Sequence, residues 1–75
     1  MKTGTRVMAK HDILGIEDGR DVTYAHPGEW GTVEVTYADN EGLEHPGDLL
    51  VRFDRTAGLS TLVLEDEVVA EPSLN

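Results

Sequence analysis

Residues 5–10, "TRVMAK", alternate between small apolar and longer side chains, and a period of two predicts a half-buried β-strand. Val7 and Ala9 share one face of this strand. The opposite face carries Arg6, Met8 and Lys10. We therefore expect an opening strand with one face in the core and the other in solvent.

Residues 30–38, "WGTVEVTYA", show the clearest alternation in the chain. Val33, Val35 and Tyr37 point to one side, and threonines and a glutamate point to the other. In residues 48–54, "DLLVRFD", alternate positions are again apolar. The two stretches predict two further strands, because β-branched and aromatic residues suit a pleated, half-buried surface.

Two shorter strands are predicted at 59–64, "LSTLVL", and 68–70, "VVA", with a tight turn "RTAG" before the first and a helical turn "EDE" between them. No apolar period of 3.6 residues extends beyond two turns, so the fold class is all-β. The expected core consists of Phe53, Val51, Val35, Val33, Val7 and Leu49. Leu50 and Leu62 fall on the opposite face, either as a second contact surface or packed beneath the long first loop.

That first loop, residues 11–29, contains three glycines, one proline and five acidic residues. We interpret it as a long excursion with room for a short hairpin. A second turn is predicted at 39–42, "DNEG", because Asn and Gly tolerate positive φ.

His-Pro-Gly occurs twice, at residues 26–28 and 45–47, each time followed by an acid and a strand. Proline presets φ for the second position of a turn, and glycine accepts the positive φ that a type II turn needs at its third. The duplication therefore predicts two chain reversals. The alternative is that His26 and His45 converge as metal ligands or as a pH-sensitive pair, although antiparallel strands would place the two turns at opposite ends.

The 75 residues suffice for one domain, residues 1–75, with an ordered core of about 4–71. Six basic and fifteen acidic residues give a net charge of −9, which repels nucleic-acid phosphates and anionic membranes. The chain has no cysteine and therefore no disulfide or thiolate metal site. Because it also lacks an apolar run of signal-peptide length, we expect a cytoplasmic protein.

No sequence motif for catalysis or for cofactor binding is present. Ser60 lies in a strand pattern and Ser73 near the end of the chain, and neither has the surroundings of a nucleophile. The acidic residues of the first loop do not follow the spacing of a calcium loop. We therefore expect no enzyme, no cofactor and no metal.

Aromatic side chains are few, and two of them, Tyr24 and Trp30, flank the first His-Pro-Gly turn. Aromatic anchors beside a rigid turn are typical of protein-binding surfaces. The predicted partner-binding residues are Tyr24, His26, Glu29, Trp30 and Tyr37. The alternative is that Tyr24 and Trp30 only cap the end of the barrel.

Four stretches carry a family resemblance: "MKTGTRVMAK", Gly31-Thr32-Val33, "LLVRFD" and "LEDEV". With the order of predicted elements, they resemble small SH3-like β-barrel accessory proteins such as the variable chain of ferredoxin:thioredoxin reductase. The resemblance implies one five-stranded antiparallel SH3-like barrel with a long first loop. It also implies a non-catalytic module that binds or positions a larger protein.

Two alternative functions are therefore considered. The first is a protein-interaction or accessory module that is a monomer or weak oligomer and binds neither nucleic acid nor membranes. The alternative is an acidic inhibitor that mimics nucleic acid. A mimic should line its carboxylates along one stripe, whereas a module should scatter them around an aromatic patch.

Overall fold

The computed structural model describes residues 2–36 and 47–70, and it is all-β as predicted. The strands in that part of the chain are β1 (Arg6–Ala9), β2 (Ile13–Glu17), β3 (Arg20–Ala25), β4 (Trp30–Thr36), β5 (Asp48–Phe53), β6 (Thr61–Leu64) and β7 (Val68–Ala70). Two 3₁₀ turns, η1 (Asp54–Thr56) and η2 (Glu65–Glu67), flank β6. No helix in the two described ranges is long and apolar enough to cross a membrane.

Five strands form one antiparallel sheet in the order β6-β5-β4-β1-β7. The sheet curls into a half-barrel, as expected for a small barrel fold. The helical turn at "EDE" and the closing strand at "VVA" are confirmed. Strand β6 begins at Thr61, later than predicted, because the Leu59 amide donates to the Thr56 carbonyl (2.8 Å) and extends the preceding turn.

Strands β2 and β3 form a separate two-stranded hairpin inside the predicted first loop. Glu17 pairs with Arg20, and the two residues between them, Asp18 (φ 52°) and Gly19 (φ 76°), both have positive φ. Positive φ at both central residues gives the turn a twist that matches the flanking strands. The Asp-Gly pair is thus the local reason that this loop folds back as a hairpin.

The core is one cluster of buried side chains from the five-stranded sheet and the hairpin. Five of the predicted core residues are at most 2% exposed: Phe53, Val51, Val33, Val7 and Leu49. They are joined in the same cluster by Ala9, Ile13, Tyr24, Ala25, Val63 and Val68.

Val35 was expected in this core, and that prediction is wrong. Val33 pairs with Val51, but Val35 pairs with Leu50, so the register shifts at the residue between them. A bulge of this kind turns the following side chains over to the opposite faces. Val35 is therefore half-buried on the outer face, and Thr36 takes the inner position at 5% exposure.

The turn predicted at 39–42 and the side chain of Tyr37 lie outside the described residues. Leu50 and Leu62, placed by the sequence on the face opposite the core, pair with each other across β5 and β6. Leu62 is 56% exposed and Leu50 is half-buried. Leu62 is therefore part of an accessible surface.

Candidate interaction surface

The first His-Pro-Gly segment forms the turn that its sequence predicts. The Glu29 amide donates to the His26 carbonyl at 3.0 Å, and Gly28 between them has φ +87°. These are the features of a type II turn. Two further backbone bonds, from Gly28 to Ala9 and from Ala9 to Glu29 (both 2.9 Å), fix the turn against β1.

The Glu29 side chain holds the turn closed. Its Oε1 accepts a hydrogen bond from the His26 amide (2.6 Å), and both oxygens accept from the Arg55 guanidinium at 2.7 Å. The two-pronged Arg55 bond, aided by the His26 amide, lowers the pKa of Glu29 from 4.5 to about 2. Glu29 is therefore a structural brace between the turn and η1.

His26 lies on the surface, with its Nδ1 2.9 Å from Oδ1 of Asp12. This contact ties the turn to the segment before β2. The structure describes no group of three or more potential metal ligands in residues 2–36 and 47–70. His45 lies outside those ranges, so its convergence with His26 stays a prediction. The antiparallel pairing of β4 with β5, which was expected from the sequence, is confirmed.

Trp30 opens β4 directly after this turn and is half-buried. Its neighbour Gly31 is packed so closely on Phe53 that a Cβ there would lie 2.8 Å from the ring carbon Cδ1. Because side chains alternate along a strand, Gly31 faces the core and Trp30 faces outward. The packing of Gly31 against Phe53 thus fixes the backbone position of the adjacent Trp30.

Two apolar side chains continue the line of Trp30 across the neighbouring strands. Trp30 pairs with Met8 of β1, and Met8 pairs with Val69 of β7. Met8 is half-buried and Val69 is 40% exposed. We call Trp30, Met8 and Val69 the Trp30 row. The outward position of Met8 was predicted from the alternation along its strand, but its position opposite Trp30 depends on the pairing of β1 with β4.

An ion pair between Arg6 and Asp54 lies beside the Trp30 row. Arg6, on the same face of β1 as Met8, donates to both carboxylate oxygens of Asp54 at 2.9 and 2.7 Å and to the Thr32 hydroxyl at 3.0 Å. The hydrogen bonds from Arg6 lower the pKa of Asp54. An apolar row beside a fixed ion pair can contact a partner's apolar side chains and exclude other orientations by charge.

Tyr24 lies apart from this surface, in the core. Its ring is 4% exposed and covers Gly15, and its hydroxyl donates a hydrogen bond to the Glu17 carboxylate. This bond is the main reason that the pKa of Tyr24 is raised. The Thr56 hydroxyl donates to the Tyr24 carbonyl at 3.3 Å. Burial does not favour Tyr24 as a contact residue, and we leave it out of the proposed surface.

The five predicted site residues therefore have different surroundings. Trp30, His26 and Glu29 lie together at the turn, Tyr24 is internal, and Tyr37 lies outside the described residues. No protein-family model, no curated protein and no solved structure matches this chain.

Proposed function

We propose that this chain is a non-catalytic protein-interaction module that binds and positions a larger partner protein through the Trp30 row. The observation that carries the proposal is the alignment of a half-buried tryptophan with Met8 and Val69 across three neighbouring strands. Binding energy at protein interfaces concentrates in such aromatic anchors. Methionine adds a flexible side chain that adapts to a partner's shape.

The rigid base of the row supports the same proposal. The turn before Trp30 is bonded to β1, and Glu29 braces it to Arg55. A surface that is ordered before binding loses less conformational entropy when a partner docks. The bordering charges and the net charge of −9 favour a partner whose contact surface is basic around an apolar centre.

The arrangement of strands supports an SH3-like accessory module in particular. A hairpin is inserted between β1 and β4, and a 3₁₀ turn precedes the closing strand. Both features agree with the expected barrel with a long first loop. Location in the cytoplasm and a monomeric or weakly oligomeric state stay predictions.

The distribution of carboxylates favours this module over a nucleic-acid mimic. Glu29 and Asp54 are bonded to arginines, and Glu34 lies 3.7 Å from Arg52. A mimic needs a stripe of carboxylates whose charge is not compensated locally. These three acids are instead part of the ion pairs that hold the fold.

The test is capture of the partner from native cells by the tagged wild-type chain, followed by titration with the purified partner. Trp30 is the only tryptophan, so its fluorescence reports contact in the wild type and in variants that keep it, and isothermal titration calorimetry measures the affinity of Trp30→Ala, which lacks this fluorophore. We expect Trp30→Ala to weaken binding by at least about 2 kcal/mol, roughly thirty-fold, with the fold retained.

The matched control is Leu14→Ala, which removes an apolar side chain that is 67% exposed on the hairpin. This variant should bind the partner as the wild type does. The proposal is wrong if Trp30→Ala binds with unchanged affinity, or if Leu14→Ala weakens binding equally.

A further inference from the structure

Strand β6 lies at one end of the five-stranded sheet and, within residues 2–36 and 47–70, pairs with β5 alone. The Glu65 amide donates to the Gly47 carbonyl at 2.8 Å. This bond shows which residues of β6 direct their backbone amide and carbonyl groups towards β5. Backbone direction alternates along an antiparallel strand. Val63 therefore bonds towards β5, and the amide and carbonyl of Leu62 point to the outer edge.

The next amide that points to the outer edge, that of Leu64, already donates a hydrogen bond within the chain. It donates to Oε1 of Glu67 at 2.7 Å. The outward-pointing groups around this point are thus the amide and carbonyl of Leu62 and the carbonyl of Leu64. A strand added here can form only a few backbone hydrogen bonds. Open-ended aggregation through this edge is therefore disfavoured.

The side chains at this edge are apolar. Leu62 and Leu64 are 56% and 50% exposed. Leu50 pairs with Leu62, and Val35, turned outward by the bulge, pairs with Leu50. We call these four residues the β6 edge surface. It is separate from the Trp30 row, which lies on β4, β1 and β7.

An open pocket of about 280 Å³ lies at the end of β6, lined by Gly47, Leu64, Glu65 and Asp66. It joins a leucine side chain to two exposed acidic residues. A lysine or arginine side chain is complementary to this pocket, because its apolar stem can lie against the leucine and its positively charged head beside the acids. A second copy of the chain, which also carries −9, would be repelled from this edge.

We propose that the β6 edge accepts, by strand addition, an extended segment of a basic partner protein. Alternate apolar side chains of this segment lie against Leu62 and Leu50, and a lysine or arginine enters the pocket beside Glu65 and Asp66. Main-chain bonds to Leu62 supply affinity, and the pocket supplies selectivity for a basic residue. The proposal goes beyond the function assigned to the Trp30 row.

The probe is a capped peptide of alternating valine and threonine with a lysine at each end, titrated into the ¹⁵N-labelled chain. We expect saturable amide shifts at Leu62 and Leu64 and slower hydrogen exchange of the Leu62 amide. A peptide with glutamate at both ends should bind at least tenfold more weakly, and so should one with N-methylated valines. Because only the peptide is changed in these comparisons, a folding defect of the protein cannot cause the difference in binding.

Leu62→Lys places a charge on the edge and should reduce peptide binding at least tenfold. Leu14→Lys, the same change at a residue of β2 that is 67% exposed and lies outside both surfaces, should leave it unchanged. The proposal is overturned by equal binding of the glutamate peptide, by shifts confined to the Trp30 row, or by none at millimolar peptide. Self-association that Leu62→Lys abolishes would also overturn it and would assign the edge to a second copy.

Discussion

Gly15 lies beneath the ring of Tyr24, and replacing it with alanine tests whether Tyr24 belongs to the core. A Cβ on Gly15 would lie 2.5 Å from Cε2 and 3.3 Å from Cζ of that ring. The ring is 4% exposed, and its hydroxyl is bonded to Glu17. It therefore moves aside only by losing core packing and that hydrogen bond.

Two opposing contributions set the size of the effect. The backbone of Gly15 is not in the left-handed region, so an added methyl should by itself stabilise the fold by about 0.4–1 kcal/mol. Overpacking against a fixed ring costs about 1–3 kcal/mol. The steric cost exceeds the gain, and we expect Gly15→Ala to lower the free energy of unfolding by about 1–2 kcal/mol.

The assay is urea unfolding of a double-mutant cycle, followed by far-ultraviolet circular dichroism and by the fluorescence of Trp30. In a Tyr24→Leu background the ring is absent, so Gly15→Ala should become neutral or stabilising. The coupling energy between the two sites should be about 1–3 kcal/mol. Tyr24→Phe is the matched control, because it keeps the ring and should keep the destabilisation.

A stabilising effect of Gly15→Ala in the wild-type chain would contradict the core position of Tyr24. It would mean that the Tyr24 ring does not cover Gly15. Tyr24 would then return to the candidate contact surface beside Trp30.

Phe53→Ala should cost about 3–5 kcal/mol in urea unfolding, much of the ~4–11 kcal/mol expected for a chain of this length; an unchanged midpoint would contradict the core assignment. Because bonding to Arg55 lowers the pKa of Glu29 to about 2, its stabilising contribution is complete above about pH 4.5 and is lost as the pH falls towards 2. NMR titration should place the Glu29 midpoint near 2, and Arg55→Gln should raise it. Zn²⁺ or Ni²⁺ should not raise the melting temperature more than in a His26→Ala, His45→Ala variant, and a histidine-dependent rise would revive the metal-site hypothesis.

Features that depend on near neighbours in the chain could be predicted from the amino-acid sequence. Alternation placed Val7 inside and Met8 outside, because successive side chains of a strand point to opposite faces. The order Pro27-Gly28 determined the type II turn, because each residue restricts or permits the φ that the turn requires. A short hairpin within residues 11–29 was expected, but its Asp18-Gly19 turn was identified only in the structure.

The surfaces that these elements form depend on contacts between residues that are distant in the chain. Extending the alternation placed Val35 in the core, but pairing with β5 introduced a bulge that turned it outward. Tyr24 lies inside because β3 packs against η1 and joins the core cluster, and no local pattern records that contact. Met8 meets Trp30 and Val69 because three strands distant in sequence pair in one register. Register between distant strands is set by packing of the whole sheet, so the candidate surface became visible only once the fold was complete.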